Sequence, residues 1–147
     1  MSTAVRPITP TAAHLRARAH DVAPRVLATA AALGSLGEAV AHVPVIEPHL
    51  VEAPYIGVGF VLLTVVGLYL AVRLVVDPDE LVWSAVGVVA VLAVLGYVLS
   101  RTVGLPQIGD DVGNWTEPLG FPAAVAETLM AALAYAHLRR HRETTAS

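Results

Sequence analysis

Cysteine and lysine are both absent from this sequence of 147 residues. Without cysteine the chain cannot form disulfide bonds, thiolate metal sites, iron–sulfur clusters or covalently attached haem. Without lysine, all nine basic residues are arginine, and the formal net charge is only −3. This charge gives no basic surface for nucleic acid, so no nucleic-acid partner is predicted. Any bound metal would have to be held by histidine and carboxylate side chains.

Charged residues are also scarce, at 14% of the chain against 56% hydrophobic residues, which is too apolar for a water-soluble domain of this size. A helix that spans the bilayer needs about 20 mostly apolar residues. Four stretches meet this condition: residues 22–43, 54–76, 81–100 and 122–138. The sequence therefore predicts an all-α integral membrane four-helix bundle whose first partner is the lipid bilayer. In this interpretation residues 22–140 form the membrane domain between two polar cytoplasmic tails, residues 1–21 and 141–147.

The distribution of arginine predicts the orientation of the bundle. Eight of the nine arginines precede or begin the first span, end the second or follow the fourth, namely Arg6, Arg16, Arg18, Arg25, Arg73, Arg139, Arg140 and Arg142. The ninth, Arg101, falls on the other side. Because arginine and lysine are enriched on the cytoplasmic side of membrane helices, both termini are predicted to be cytoplasmic in a multi-pass plasma-membrane protein. The segments 44–53 and 101–121 then face outward.

Acidic residues and histidines collect on this predicted outer side. Glu38 and His42 are four residues apart near the outer end of the first span, so they share one helical face. His49 and Glu52 are three apart, and Pro48 could open a short helical turn that points them the same way. Glu127 lies five residues into the fourth span, at a depth similar to that predicted for Glu38.

Two glutamates below the membrane surface require an explanation, because the transfer of a carboxylate side chain into the hydrocarbon core costs roughly 2.5–3.5 kcal/mol of free energy. Both must face the bundle interior or water. One interpretation is a metal or proton site, in a pocket that opens outward, where Zn²⁺, Cu²⁺ or a similar cation would be held through Glu38, His42, His49, Glu52 and Glu127. The other is structural, with Arg101 neutralising one of the two glutamates and His42 lying at the wet interface. The sequence leaves both open.

A second polar cluster is predicted in the loop between the third and fourth spans. It consists of Arg101, Asp110, Asp111, Trp115 and Glu117. As the single cation of the outer side, Arg101 is predicted to pair with an acid of the outer loops, or with one of the two buried glutamates. The loop lacks the ligand spacing of an EF-hand. It is predicted to be a capped, glycine-punctuated re-entrant loop that packs Trp115 onto the bundle, and the alternative is a simple loop rich in turn-forming residues.

No motif of a soluble enzyme occurs: Gly-x-Ser-x-Gly, His-Glu-x-x-His, the phosphate loop and the dinucleotide fingerprint are all missing. No catalytic residue is therefore predicted, and an enzyme is the least favoured class. Three functions remain. The sequence favours a structural or accessory protein whose acidic outer face docks a protein partner. The alternatives are a metal-cation binding or handling protein, and one subunit of a homo-oligomeric cation- or proton-coupled carrier.

Two segments of the chain resemble signatures of small four-helix membrane proteins typical of high-GC actinobacteria. The longer is Ser100-Arg-Thr-Val-Gly-Leu-Pro-Gln-Ile-Gly-Asp-Asp-Val-Gly-Asn-Trp-Thr-Glu-Pro-Leu-Gly120, and the shorter is His49-Leu-Val-Glu-Ala-Pro-Tyr-Ile-Gly57. Both lie largely in the predicted outer loops. The resemblance implies a bacterial plasma membrane, and it implies no substrate, cofactor or catalytic residue.

Overall fold

The computed structural model describes residues 12–146, with side chains from Pro24 onward. These residues form four α-helices: α1 (Ala12–Glu52), α2 (Pro54–Val76), α3 (Glu80–Thr102) and α4 (Gly120–Thr145). A short 3-10 turn, Gly109–Asp111, lies between α3 and α4. Each α-helix contains a stretch long and apolar enough to cross a membrane. The predicted all-α fold with four membrane-spanning helices is confirmed.

The first helix differs most from the prediction, because it continues through the segment 44–53 that was expected to be an outer loop. Pro44 and Pro48 lie inside α1 rather than at its end. Each proline lacks a backbone N–H, so the carbonyl four residues earlier has no helical hydrogen-bond donor. The helix nevertheless continues. Packing against α2 explains this: a Cβ on Gly57 would lie only 2.6 Å from the backbone nitrogen of Leu50. A single residue, Ala53, then joins α1 to α2.

The predicted polar tails are also partly helical. Residues 12–21 belong to α1, while residues 1–11 and 147 lie outside the described part of the chain. At the other terminus α4 continues to Thr145 instead of ending near residue 138. Two side-chain contacts support this extension: Arg139 Nε lies 2.9 Å from Glu143 Oε1, one helical turn away, and His141 Nδ1 lies 2.5 Å from Glu80 Oε1 of α3.

The bundle consists of two helical hairpins, α1–α2 and α3–α4, which pack against each other mainly through α1 and α4. Close approach depends on small residues: a Cβ on Gly67 would lie 3.2 Å from that of Ala39, and a Cβ on Gly87 would lie 3.2 Å from that of Ala134. The core occupies the half of the bundle near the α2–α3 connection. There Trp83 is fully buried and stacks on His137, with ring centroids 4.3 Å apart.

The two ends of the bundle carry different groups. At the arginine end, where α2 meets α3, Arg73 bonds Asp79 Oδ2 at 3.1 Å, and Asp79 Oδ1 accepts from the Val82 N–H at the start of α3. At the opposite end, here called the loop end, lie Ala53 and the segment 103–119 between α3 and α4.

Large apolar side chains are exposed along all four helices. Examples are Leu33 on α1, Leu62 on α2, Leu92 on α3 and Leu129 on α4, each about 60% exposed. A water-soluble monomer rarely exposes contiguous apolar surface on this scale. The bundle is therefore suited to contact with lipid on its outside, with its polar groups kept within.

Candidate functional site

The loop end is closed by an ordered cap, defined here as residues 103–119. Two tyrosines tie it to the helices: Tyr55 Oη donates to the Pro106 carbonyl at 2.7 Å, and Tyr97 Oη donates to the Trp115 carbonyl at 2.6 Å. Trp115 also meets the Tyr97 ring edge-on at 6.1 Å, although its own ring stays half-exposed. The cap therefore packs on the bundle, as predicted for this loop.

Arg101, the last charged residue of α3, is the anchor of this cap. Its side chain is only 7% exposed, and Nη1 lies 2.5 Å from Asp111 Oδ2. The guanidinium also lies over the Tyr97 ring, 5.1 Å from the centroid, while the Arg101 carbonyl accepts from the Gly113 N–H at 2.9 Å. The predicted ion pair of Arg101 with an acid of the outer loops is thus confirmed, and the partner is Asp111 rather than a buried glutamate.

The two other acids of the predicted cluster have separate positions. Glu117 accepts hydrogen bonds from the backbone N–H groups of Leu119 and Gly120, so it satisfies donors at the start of α4. Asp110 forms no ion pair with any side chain of residues 24–146 and lies exposed on the cap.

Replacing Asp111 by Asn should destabilise the cap, because it leaves the Arg101 guanidinium buried without its counter-charge. We expect a loss of about 1–3 kcal/mol in unfolding free energy, together with faster amide hydrogen exchange in residues 109–119. Asp110→Asn is the matched control, since its neighbour carries the ion pair. Equal effects of the two substitutions would show that the Arg101–Asp111 ion pair does not specifically stabilise the cap.

Beneath the cap lies a cavity of about 510 Å³, bounded by all four helices. Its apolar wall comes mainly from α2 and α3, with Ile56, Phe60 and Leu63 facing Leu92 and Ala93. Its charged lining residues are Glu52, Arg101, Asp110, Asp111, Glu117 and Glu127. Five of these six are acidic, and the single arginine already pairs with Asp111. The cavity is therefore apolar along its sides and negatively charged.

Glu127 and Glu38 form the deepest polar contact of this region. They are 3% and 4% exposed, and their carboxyl groups, one on α4 and the other on α1, lie next to each other. Two carboxylates side by side away from water repel each other. Among residues 24–146 no partner reaches Glu38 Oε1. Glu127 lines the cavity directly, whereas Glu38 lies behind it.

The two histidines of α1 lie on the cavity wall around Phe60. The His42 ring stacks on Phe60 with a centroid distance of 5.0 Å, and the His49 ring meets the same phenyl ring edge-on at 4.9 Å. His49 Nδ1 is bonded to the Val45 carbonyl at 2.8 Å. His42 is 7% exposed, and its Nδ1 has no well-formed hydrogen bond to any described residue.

The structure places four of the five predicted metal-site residues on the wall of one cavity, namely His42, His49, Glu52 and Glu127, whereas Glu38 lies behind it. Glu38 is followed by 14 more residues of α1, which puts it about 21 Å from the end of that helix rather than near its outer end. The reason is the unexpected continuation of α1 through Pro44 and Pro48. In the part of the chain that the structure describes, no group of three or more His, Asp and Glu side chains is arranged to hold a metal ion.

Sequence reasoning missed the aromatic and hydroxyl groups of the site. Phe60 lies in the middle of an apolar run, and Tyr55 and Tyr97 lie near the ends of such runs, so none of the three gives a signal of its own. Their ring positions depend on the cap, since both hydroxyls bond to cap carbonyls.

Comparison with known proteins adds no assignment to this geometry. No protein-family model, no curated protein and no solved structure matches the chain.

Proposed function

We propose that this protein binds a cation in the cavity beneath its cap. The observation that carries the proposal is that two almost fully buried carboxyl groups lie next to each other, with Glu127 on the wall of that cavity and Glu38 behind it. Two carboxylates side by side away from water repel each other strongly, so such a pair retains a proton or receives a cation.

The charges around the pair support the same conclusion. The cavity wall carries four further acids, and its one arginine is neutralised by Asp111. The field inside is therefore negative, and a low-dielectric wall strengthens its attraction for a positive ligand. Glu52 and Asp110 lie exposed at the loop end, where they would attract cations toward the opening.

This geometry favours cation binding over the docking role that the sequence alone favoured. A surface that docks a partner through charge needs its carboxylates free, whereas Asp111 pairs with Arg101 and Glu117 bonds the start of α4. The exposed acids of this end are Glu47, Glu52 and Asp110, and two of these three line the cavity. A carrier function would require the same site to reach both sides of the membrane, and the packed core around Trp83 blocks the arginine end.

We further propose that the protein lies in a bacterial plasma membrane with both termini in the cytoplasm and the cap outside. The distribution of arginine between the two ends supports this orientation, and the resemblance to actinobacterial membrane proteins supports the compartment.

The absence of cysteine makes the orientation directly testable. Single substitutions Val112→Cys in the cap and Ala146→Cys after α4 each introduce one thiol at an exposed position. In intact cells a membrane-impermeant maleimide should label the first variant and not the second, while lysed cells should label both. The reverse pattern would overturn the orientation.

The binding function is tested by calorimetric titration of the purified protein with Na⁺, Zn²⁺ and tetraphenylphosphonium in turn. At least one of these cations should bind, and Glu127→Gln should weaken that binding about tenfold or more, equivalent to about 1.4 kcal/mol. Glu47→Gln is the matched control, because it removes an exposed acid at the same end of the bundle. If no cation binds, or if both variants lose binding equally, the proposal is wrong.

A further inference from the structure

We infer that the ligand of this cavity is an amphipathic organic monocation, such as a quaternary ammonium or phosphonium with a bulky apolar body. This inference rests on the proposed cation binding and specifies its ligand class.

The first argument is the size and composition of the cavity. At about 510 Å³ it falls within the range of small-molecule pockets and is far larger than a single metal ion. Ile56, Leu63 and Leu92 line its sides, and Leu105 and Ile108 of the cap close it above. An apolar body would be removed from water against these side chains, which is favourable by roughly 25 cal/mol per Å² of apolar surface.

The second argument is the character of the polar groups on the cavity wall. Glu127 lines the cavity from α4, and His42 lines it from α1. These groups can neutralise one positive charge, but they do not form the set of three or more ligands that a divalent metal requires.

The third argument is the aromatic lining. Phe60 lies between the two histidine rings, and Tyr55 is held at the mouth by its bond to Pro106. Aromatic rings attract cations that are weakly hydrated, and quaternary ammonium ligands are commonly recognised in this way. A strongly hydrated metal ion gains less binding free energy from aromatic rings than an organic cation does, because it must first lose its water.

The test uses tetraphenylphosphonium as the probe, with tetraphenylborate as an anion of the same shape and Zn²⁺ as the metal. The full chain in detergent should bind the phosphonium, and binding should fall about tenfold or more in Glu127→Gln. Gly96→Leu provides a second variant that keeps every charge. Gly96 lines the cavity with no atom within 4 Å of its added Cβ, so a leucine there occupies ligand space and should also abolish phosphonium binding.

The other outcomes distinguish a wrong ligand class from a wrong proposed function. Equal binding of tetraphenylborate would overturn the inference, because it would reflect apolar partition alone. Phosphonium binding that survives Gly96→Leu would also overturn it, since the cation would then lie outside the cavity. If Zn²⁺ binds with dependence on Glu127 and the phosphonium does not, cation binding stands and the organic ligand class is wrong. If neither binds, the proposed function itself fails.

Discussion

Binding of one cation to the purified protein should release close to one proton to the solvent. The reason is the carboxyl pair: Glu38 and Glu127 lie next to each other out of water, where two negative charges repel, so we expect the unliganded pair to hold one proton. A cation that contacts Glu127 replaces this proton. The apparent affinity should therefore rise with pH, by about tenfold per pH unit over the range in which the pair keeps its proton.

The proton count can be measured by calorimetry of tetraphenylphosphonium binding in buffers of different ionisation enthalpy. The other titratable groups on the cavity wall are His42, His49, Glu52, Tyr55, Tyr97, Asp110, Asp111 and Glu117, with Arg101 as the charged partner of Asp111. His42 is the closest alternative source, one helical turn from Glu38. Glu38→Gln should abolish proton release, whereas His42→Gln should leave it in place. If proton release is instead lost in His42→Gln and kept in Glu38→Gln, the released proton comes from the imidazole.

Gly57→Ala should be among the most destabilising single-methyl additions to this chain. The added Cβ would lie 2.6 Å from the backbone nitrogen and 2.7 Å from the Cα of Leu50, so two helix backbones would have to separate. Overpacking of this kind costs about 1–3 kcal/mol. Because Leu50 directly follows His49 on α1, the same separation should displace the cavity wall and weaken cation binding. The expected result is a lower apparent unfolding temperature in a fixed detergent.

Gly59→Ala is the matched control, two residues along the same helix. No atom lies within 4 Å of a Cβ at Gly59, and alanine is favoured over glycine in a helix by about 1 kcal/mol. Its unfolding temperature should be unchanged or higher. A drop as large as that of Gly57→Ala would show that the close approach of α1 and α2 is not the cause.

Several features of the fold follow from the sequence because they depend on local composition. The apolar run of α2 and the acidic start of α3 place both helices within two residues of their predicted ends. Proline was less informative. Pro54 begins α2 as expected, but Pro44 and Pro48 continue α1, since contact with α2 outweighs the loss of two backbone hydrogen bonds. A proline in a sequence does not reveal whether a neighbouring helix stabilises it.

The same limit applies to the site. Burial of Glu38 and Glu127 could be predicted because a lone carboxylate in lipid is costly, and the pairing of Arg101 with an outer acid followed from its being the single cation there. That the two glutamates meet each other, and that Asp111 is the arginine's partner, depends on how the hairpins pack and how the cap folds. Neither is encoded in local spacing.

Hydropathy and charge act residue by residue, so the lipid environment, the four helices and the collection of acids at one end could all be predicted from the sequence. That α1 continues through its prolines and carries Glu38 deep into the bundle could be seen only from the packing of the helices. The same is true of the cap and of the cavity beneath it, which is bounded by all four helices. These features arise from contacts between residues far apart in the chain, where backbone approach and side-chain volume set the outcome.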